Sequence, residues 1–284
     1  MNINAAELPI DEKGKVYHLK LQPEELADKI LFVGDPARVG FFSQRFDQIE
    51  VKKENREIHT HTGVWKGKRL SIISTGMGTD NIDIVFNELD ALANIDLKAR
   101  KPKERHQTLE IVRIGTCGML QGNLPIHSFI AGRLCIGMDC LMHFYPYQER
   151  HPELLEDFRR HCQWQLPLTP YTGECDEDLL QRIAANYTQG ITVTAPGFYG
   201  PQCRKLRLTL AQGDFVQRLL DHSFQGIPYT NLEMETAGIY GMGRALGHKT
   251  LSLNVGVANR ATGEFSKGHN DALMQLFEEV VSRF

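Results

Sequence analysis

Residues 30–38 read Ile-Leu-Phe-Val-Gly-Asp-Pro-Ala-Arg, an apolar run that breaks into a Gly-Asp-Pro turn. A short run of branched and aromatic residues bounded by glycine and proline reads as a buried strand. The same form returns at Leu70–Ser74, which runs into Thr75-Gly76-Met77-Gly78, and at Ile111–Ile114, which runs into Gly115-Thr116-Cys117-Gly118. Such strands, ending in glycine-rich backbone, place ligand sites at their carboxyl ends. Outward from them, Ile82–Asn94 has helical spacing, with Ile82, Val85, Phe86, Leu89 and Leu92 on one face. Glu235–Leu246 and Asn270–Phe284 read as further helices. The alternation runs through the chain without repeat or low-complexity linker, so residues 1–284 are expected to form one α/β domain. Ala99–Gln107, ARKPKERHQ, is basic, contains a breaker and reads as a surface loop.

A net charge of −3 over 284 residues gives no electrostatic reason to expect nucleic acid or a lipid surface as partner. The first residues, MNINAAELPIDEKGK, lack the basic and apolar regions of a secretory signal, and no apolar stretch approaches bilayer length. Cys117, Cys135, Cys140, Cys162, Cys175 and Cys203 lie far apart with no C-x-x-C pair. That spacing argues against a zinc or redox motif and suits reduced thiols in a cytoplasmic protein that handles a small molecule.

Chemistry gathers at the strand ends. Gly34-Asp35-Pro36-Ala37-Arg38 sets a guanidinium just past a turn whose N–H groups can face an anion. Arg113 lies inside an apolar strand, IVRIG, where a guanidinium is costly to bury unless an anion or a carboxylate accompanies it. Together the two suggest phosphate. Asn231-Leu-Glu-Met-Glu-Thr236 sets carboxylates at 233 and 235 before an apolar helix. Helix capping accounts for Glu235 more readily than for Glu233, and a sugar diol needs an acceptor of this kind. Phe198-Tyr-Gly-Pro-Gln-Cys-Arg204 joins an aromatic wall to amide and guanidinium donors, a combination suited to a flat heterocycle bearing carbonyls.

The strings VYHLKL, VGDPARV, NREIHTHTG, STGMGTDN, VRIGTCG, FYGPQCR, NLEMETA and GVANR occur here in that order. In this the chain resembles the uridine phosphorylase branch of the nucleoside phosphorylase-I family over nearly its whole length. The resemblance implies a single-domain α/β fold with a central mixed sheet flanked by helices. It implies that Gly34, Arg38, Arg113 and Thr116 bind phosphate, with Arg56 completing that site from a neighbouring subunit. His18 is likewise lent by the neighbour to the ribose 5′-hydroxyl. Glu233, Met234 and Glu235 line the ribose; Phe198, Gln202 and Arg204 hold a pyrimidine, braced by Arg260. The Gly200-Pro201 order departs from the family, which usually has proline, or another residue, before glycine.

The resemblance further implies phosphorolysis of uridine or deoxyuridine to uracil and a sugar 1-phosphate, with inorganic phosphate as co-substrate and no cofactor. Arg113, Gln202, Arg204 and Glu235 would carry the catalysis. It implies a homodimer or a trimer of dimers, and a structural cation, K+ or Ca2+, at the dimer interface held by Glu57, Met77 and Asn81. Purine-cleaving relatives carry an aspartate near the position of Asn259, which cannot protonate a purine. A nucleosidase, a purine nucleoside phosphorylase and a non-catalytic nucleoside-binding module are the competing readings.

Overall fold

The computed structural model describes residues 3–284; Met1 and Asn2, which open the stretch read for a leader, lie outside the described residues. In chain order the strands are β1 Lys29–Val33, β2 Gln48–Asn55, β3 Ile58–Trp65, β4 Lys68–Ser74, β5 Ile95–Asp96, β6 Lys101–Pro102, β7 Glu110–Met119, β8 Phe129–Gly137, β9 Tyr171–Glu174, β10 Thr188–Thr194, β11 Ser223–Phe224, β12 Ile227–Glu233 and β13 Lys249–Asn259. The helices are α1 Ala37–Ser43, α2 Thr79–Asn94, α3 Pro152–His161, α4 Glu177–Ala184, α5 Phe215–Leu219, α6 Thr236–Leu246 and α7 Asn270–Arg283.

All strands but the β5–β6 pair belong to one mixed sheet. β1 pairs in parallel with β4 on one side and β7 on the other, with Ile30 opposite both Ser71 and Ile111. The three glycine-ended runs therefore lie side by side with their carboxyl ends at one edge. Their apolar residues are buried on both faces, as strands covered by helices on each side must be. β13 runs parallel to β7 from Lys249 opposite Glu110 to Asn259 opposite Met119. It also pairs antiparallel with β8, which is parallel to β10, itself parallel to β12. β12 then returns antiparallel to β7, with Leu232 opposite Gly118. These pairings close a ring β7–β13–β8–β10–β12, while β1, β4, β3 and β2 extend from it as an open wing.

β7 corrects one expectation. The apolar run Ile111–Ile114 is expected to end in the glycine-rich backbone Gly115-Thr116-Cys117-Gly118, but the strand continues to Met119. Gly115 serves packing rather than turning: a Cβ there would overlap the guanidinium of Arg113, which folds back across the strand at that point.

The helices form where periodicity placed them. α2 buries Ile82, Val85, Phe86, Leu89 and Leu92 on one face, each worth roughly 1.5–3 kcal/mol of transfer free energy. α7 packs Phe277 against Phe42 with ring centroids 4.7 Å apart and against Trp65 at 5.3 Å. The basic stretch 99–107 is almost wholly exposed, yet it is not all loop, because β6 pairs with β5. The Lys103 ammonium donates to the carbonyl of Ala93 at 2.7 Å, and its backbone N–H donates to that of Asn94, so this basic hairpin satisfies the last carbonyls of α2.

Candidate active site

A cavity of about 670 Å³ opens at the carboxyl ends of β1, β4 and β7, where β12 closes on β7. Its wall includes Gly34 and Arg38 after β1, Met77 and Asn81 after β4, and Arg113, Thr116 and Cys117 on β7. Phe198, Gln202, Arg204 and the run Glu233–Glu235 complete it.

At one end stand two guanidiniums. Arg113 is buried and paired within the chain: it bonds Glu235 closely through Nη2, donates to Asn254 Oδ1 at 2.7 Å through Nη1, and has Glu233 at 3.5 Å, while its buried Nε has no partner among the described residues. Its burial is thus explained by carboxylates, and of itself demands no phosphate. Burial works against its charge, but Glu235 and Glu233 outweigh that and hold its pKa above the ordinary value. Arg38 differs. It is partly buried, its side chain has no hydrogen-bond or ion-pair partner among the described residues, and both burial and the charge of Arg113 depress its pKa. Like charges converging on a cavity wall, with one of them unpaired, make a place where an anion is stabilised.

The roles of the two glutamates are the reverse of the expectation. Glu233 is the one that serves the helix: its oxygens accept the N–H of Glu235 at 2.9 Å and that of Thr236 at 3.0 Å, and the Thr194 hydroxyl donates to it at 2.6 Å. The peptide turn at residue 235 points the first free N–H groups of α6 back at position 233, which spacing alone does not show. Glu235 accepts the N–H of Gly78 at 2.8 Å, where the chain takes φ +96°, open to glycine, to enter α2. Burial pushes the Glu235 carboxyl up, Arg113 pulls it back, and Glu233 pushes it further, leaving it above its ordinary value. Met234 lies between the two on the cavity wall.

At the other end, the Arg204 guanidinium lies over the Phe198 ring, 3.8 Å from its centroid. Arg204 donates to the Phe198 carbonyl at 2.7 Å and to Gln202 Oε1 at 2.5 Å, and Arg260 donates to the Gln202 carbonyl at 3.0 Å. Burial and then the charge of Arg260 push Arg204 down to about 10; burial also lowers Arg260. With Gln202 Oε1 engaged by Arg204, the Gln202 amide N–H groups are the end left for a ligand carbonyl. Asn259 is fully committed to backbone: it donates to the carbonyls of Gln121 and Leu124 and accepts from Ala261 and Thr262.

Three of the expected site residues lie off the wall: Arg260, which braces the Gln202 backbone, His18 and Arg56. His18 is held by Glu88 and Arg56 sits exposed in the turn between β2 and β3. Glu57 does line the cavity, and with Asn81 it packs against Gly76 beside the exposed Met77. Among the described residues no group of three or more His, Cys, Asp or Glu side chains is placed to hold a metal. Sequence reading missed Asn254, which orients Arg113, and Phe265, which is 70% exposed and lines the cavity from the segment after β13. Asn254 interrupts the apolar run LSLNVGVAN just as Arg113 interrupts its own strand, so the signal for it was present.

One cavity thus joins two converging guanidiniums, buried carboxylates and an end where a guanidinium lies over an aromatic ring. Residues 28–284 match the model of the phosphorylase superfamily. The uridine phosphorylase of Thermococcus kodakarensis is 29% identical over 277 residues, 97% of this chain and 89% of that one. The DeoD-type purine nucleoside phosphorylase of Oceanobacillus iheyensis is 25% identical over 248 residues, 87% of this chain and 88% of that one. A crystal structure of a Trypanosoma brucei nucleoside phosphorylase, described as showing uridine phosphorylase activity, superposes with a TM-score of 0.85 at 31% identity, covering 97% of this chain and 99% of that one. The chain belongs to the phosphorylase superfamily.

Proposed function

We propose that the chain is a pentosyltransferase, a uridine phosphorylase that converts uridine and phosphate reversibly to uracil and ribose 1-phosphate in pyrimidine salvage. One observation carries the reading: a single cavity is lined both by Arg38, Arg113 and Thr116 and by the Phe198–Gln202–Arg204 group, with Met234 and Glu235 in the same wall.

Cleaving the glycosidic bond makes a cationic, oxocarbenium-like sugar and an electron-rich base, and the enzyme must stabilise both as they form. Phosphate held by Arg38, Arg113 and Thr116 supplies the nucleophile and an anion facing the cationic sugar. Glu235 accepts a sugar hydroxyl while remaining paired with Arg113, so nucleoside and phosphate meet at one ion pair. The amide of Gln202 and the Arg204 guanidinium take up the charge arriving on a pyrimidine carbonyl, and no proton donor to the base is required. Glu233 acts on the ribose indirectly, by fixing the backbone that carries Met234 and Glu235.

The test is incubation with uridine, with and without phosphate. Ribose 1-phosphate is the expected product; free ribose would mark a nucleosidase, and neither product a binding module. Uridine is expected to exceed inosine by about 10³-fold in kcat/KM, the scale set by unmatched buried polar groups. The purine reading, favoured by the DeoD-type relatives, requires comparable rates.

The setting we propose is cytoplasmic, supported by free cysteines throughout and no helix, among the described residues, long and apolar enough to cross a membrane. The assembly we propose is a homodimer, alone or as a trimer of dimers, in which His18 and Arg56 serve the neighbour's cavity. Glu57, the Met77 carbonyl and Asn81 would hold a structural K+ or Ca2+ at that interface. Their single carboxylate per chain suits a weakly held ion.

A further inference from the structure

We infer that Glu88 is a positioning residue for the nucleoside site: it fixes the ring orientation and tautomer of His18, so that Nε2 presents a lone pair to the 5′-hydroxyl of a nucleoside held in the adjacent subunit. The inference rests on the reading above that His18 is lent to the neighbour, and it adds the group that makes the loan specific.

Glu88 is a carboxylate 7% exposed, in the middle of α2 on the side that meets the N-terminal segment. Its oxygens are filled from one short stretch 70 residues away. The backbone N–H of His18 donates at 2.8 Å, that of Leu19 at 2.8 Å, and His18 Nδ1 lies at 2.7 Å. An acceptor-only carboxylate against Nδ1 requires that nitrogen to carry a hydrogen, which in the neutral ring leaves Nε2 as the acceptor. The ring is not idle packing: its side chain is 26% exposed and its free edge faces away from Glu88. Asn55 closes the arrangement by donating to the His18 carbonyl at 2.8 Å. Asn55 directly precedes Arg56, itself held at φ +55°, so the His18 and Arg56 segments are tied together. A buried charge that serves only loop packing could be met by backbone N–H groups alone; here Oε1, besides taking the His18 N–H, also meets the ring nitrogen.

The experiment compares uridine with 5′-deoxyuridine. Glu88→Gln keeps the shape but offers an amide that can turn its N–H groups toward Nδ1, driving the hydrogen to Nε2. It is expected to raise KM for uridine about tenfold, with kcat within about twofold, and to leave KM for 5′-deoxyuridine unchanged. His18→Ala should do the same, and the double variant should add nothing. Equal effects on both substrates, no effect, or additivity with His18→Ala overturns the role of Glu88. If His18→Ala itself spares the discrimination between the two substrates, the loan of His18 falls and the inference with it. If His18→Ala removes it while Glu88→Gln does not, only Glu88 is reassigned. A measurement on the unmodified dimer covers the case in which Glu88→Gln does not fold. The ¹⁵N signals of His18, assigned by their loss in His18→Ala, should show Nδ1 protonated in the neutral ring; Nε2 protonated overturns the inference.

Discussion

Inside proteins a guanidinium nearly always has a carboxylate, and the two arginines of the anion end divide on that point. Arg113 has Glu235, Glu233 and Asn254; Arg38 has no side-chain partner among the described residues. Removing Arg113 leaves two buried carboxylates uncompensated, a cost of about 3–5 kcal/mol, so loss of activity in Arg113→Ala mixes binding with folding. Arg38→Ala separates them. Its melting temperature should equal or exceed that of the parent, because burial and Arg113 already disfavour the charge, while KM for phosphate rises at least about tenfold. A lowered melting temperature with unchanged KM would place Arg38 in the scaffold. Glu235 carries a second prediction. Its pKa lies above the ordinary value of 4.5, and it must be ionised to accept a sugar hydroxyl, so kcat/KM should begin to fall on acidification at a pH above 4.5. The linked stability runs the other way: a raised folded-state pKa contributes stability that is fully present below 4.5 and lost as pH rises through the folded value. An acid limb with its midpoint at or below 4.5 would assign it to another group.

At the scale of the elements, what the sequence shows most clearly is what period and punctuation encode. The runs at 30, 70 and 111 are strands, and the apolar face of α2 is buried residue for residue. Pairing between distant strands is not encoded that way. Nothing local in NLEMETA or VRIGTCGM says that Leu232 meets Gly118 and closes the ring, and that closure brings Glu235 to Arg113. The misread glycine has the same origin. Glycine after an apolar run reads as the end of a strand, whereas the reason for Gly115 is the side chain of Arg113, two positions earlier on the same face, folding across it. Gly115→Ala therefore tests the strand. The chain should fold, since β7 keeps its pairing with β13 and only the far end of a side chain must move. The guanidinium is pushed off Glu235 and Asn254, however, and kcat/KM should fall by at least about 10²-fold, the scale of losing a placed charge. Near-normal activity would show that Arg113 has room to relocate without loss.

The whole molecule leaves its cavity rimmed by exposed apolar side chains, Met77 at 77% and Phe265 at 70%, while the His18 and Arg56 segments, tied together by Asn55, keep those side chains off its wall. A two-fold dimer brings one patch of each chain against the other, so a residue that serves the partner's site necessarily receives the equivalent service. Mixing two inactive variants distinguishes this from a self-contained site. Take Arg56→Ala chains, whose Glu235 is intact, and Glu235→Gln chains, whose Arg56 is intact. Each homodimer is expected to be inactive. In the hybrid, the cavity of the Arg56→Ala chain receives a good arginine from its partner and has its own Glu235, while the other cavity lacks both. With equal amounts and full exchange, half the dimers are hybrids with one working cavity of two, so activity should recover to about a quarter of the parent's. Sites built within one chain give no recovery at any ratio. No activity after subunit exchange has been verified by mass would therefore return Arg56 to its own chain, and the active unit would be the monomer.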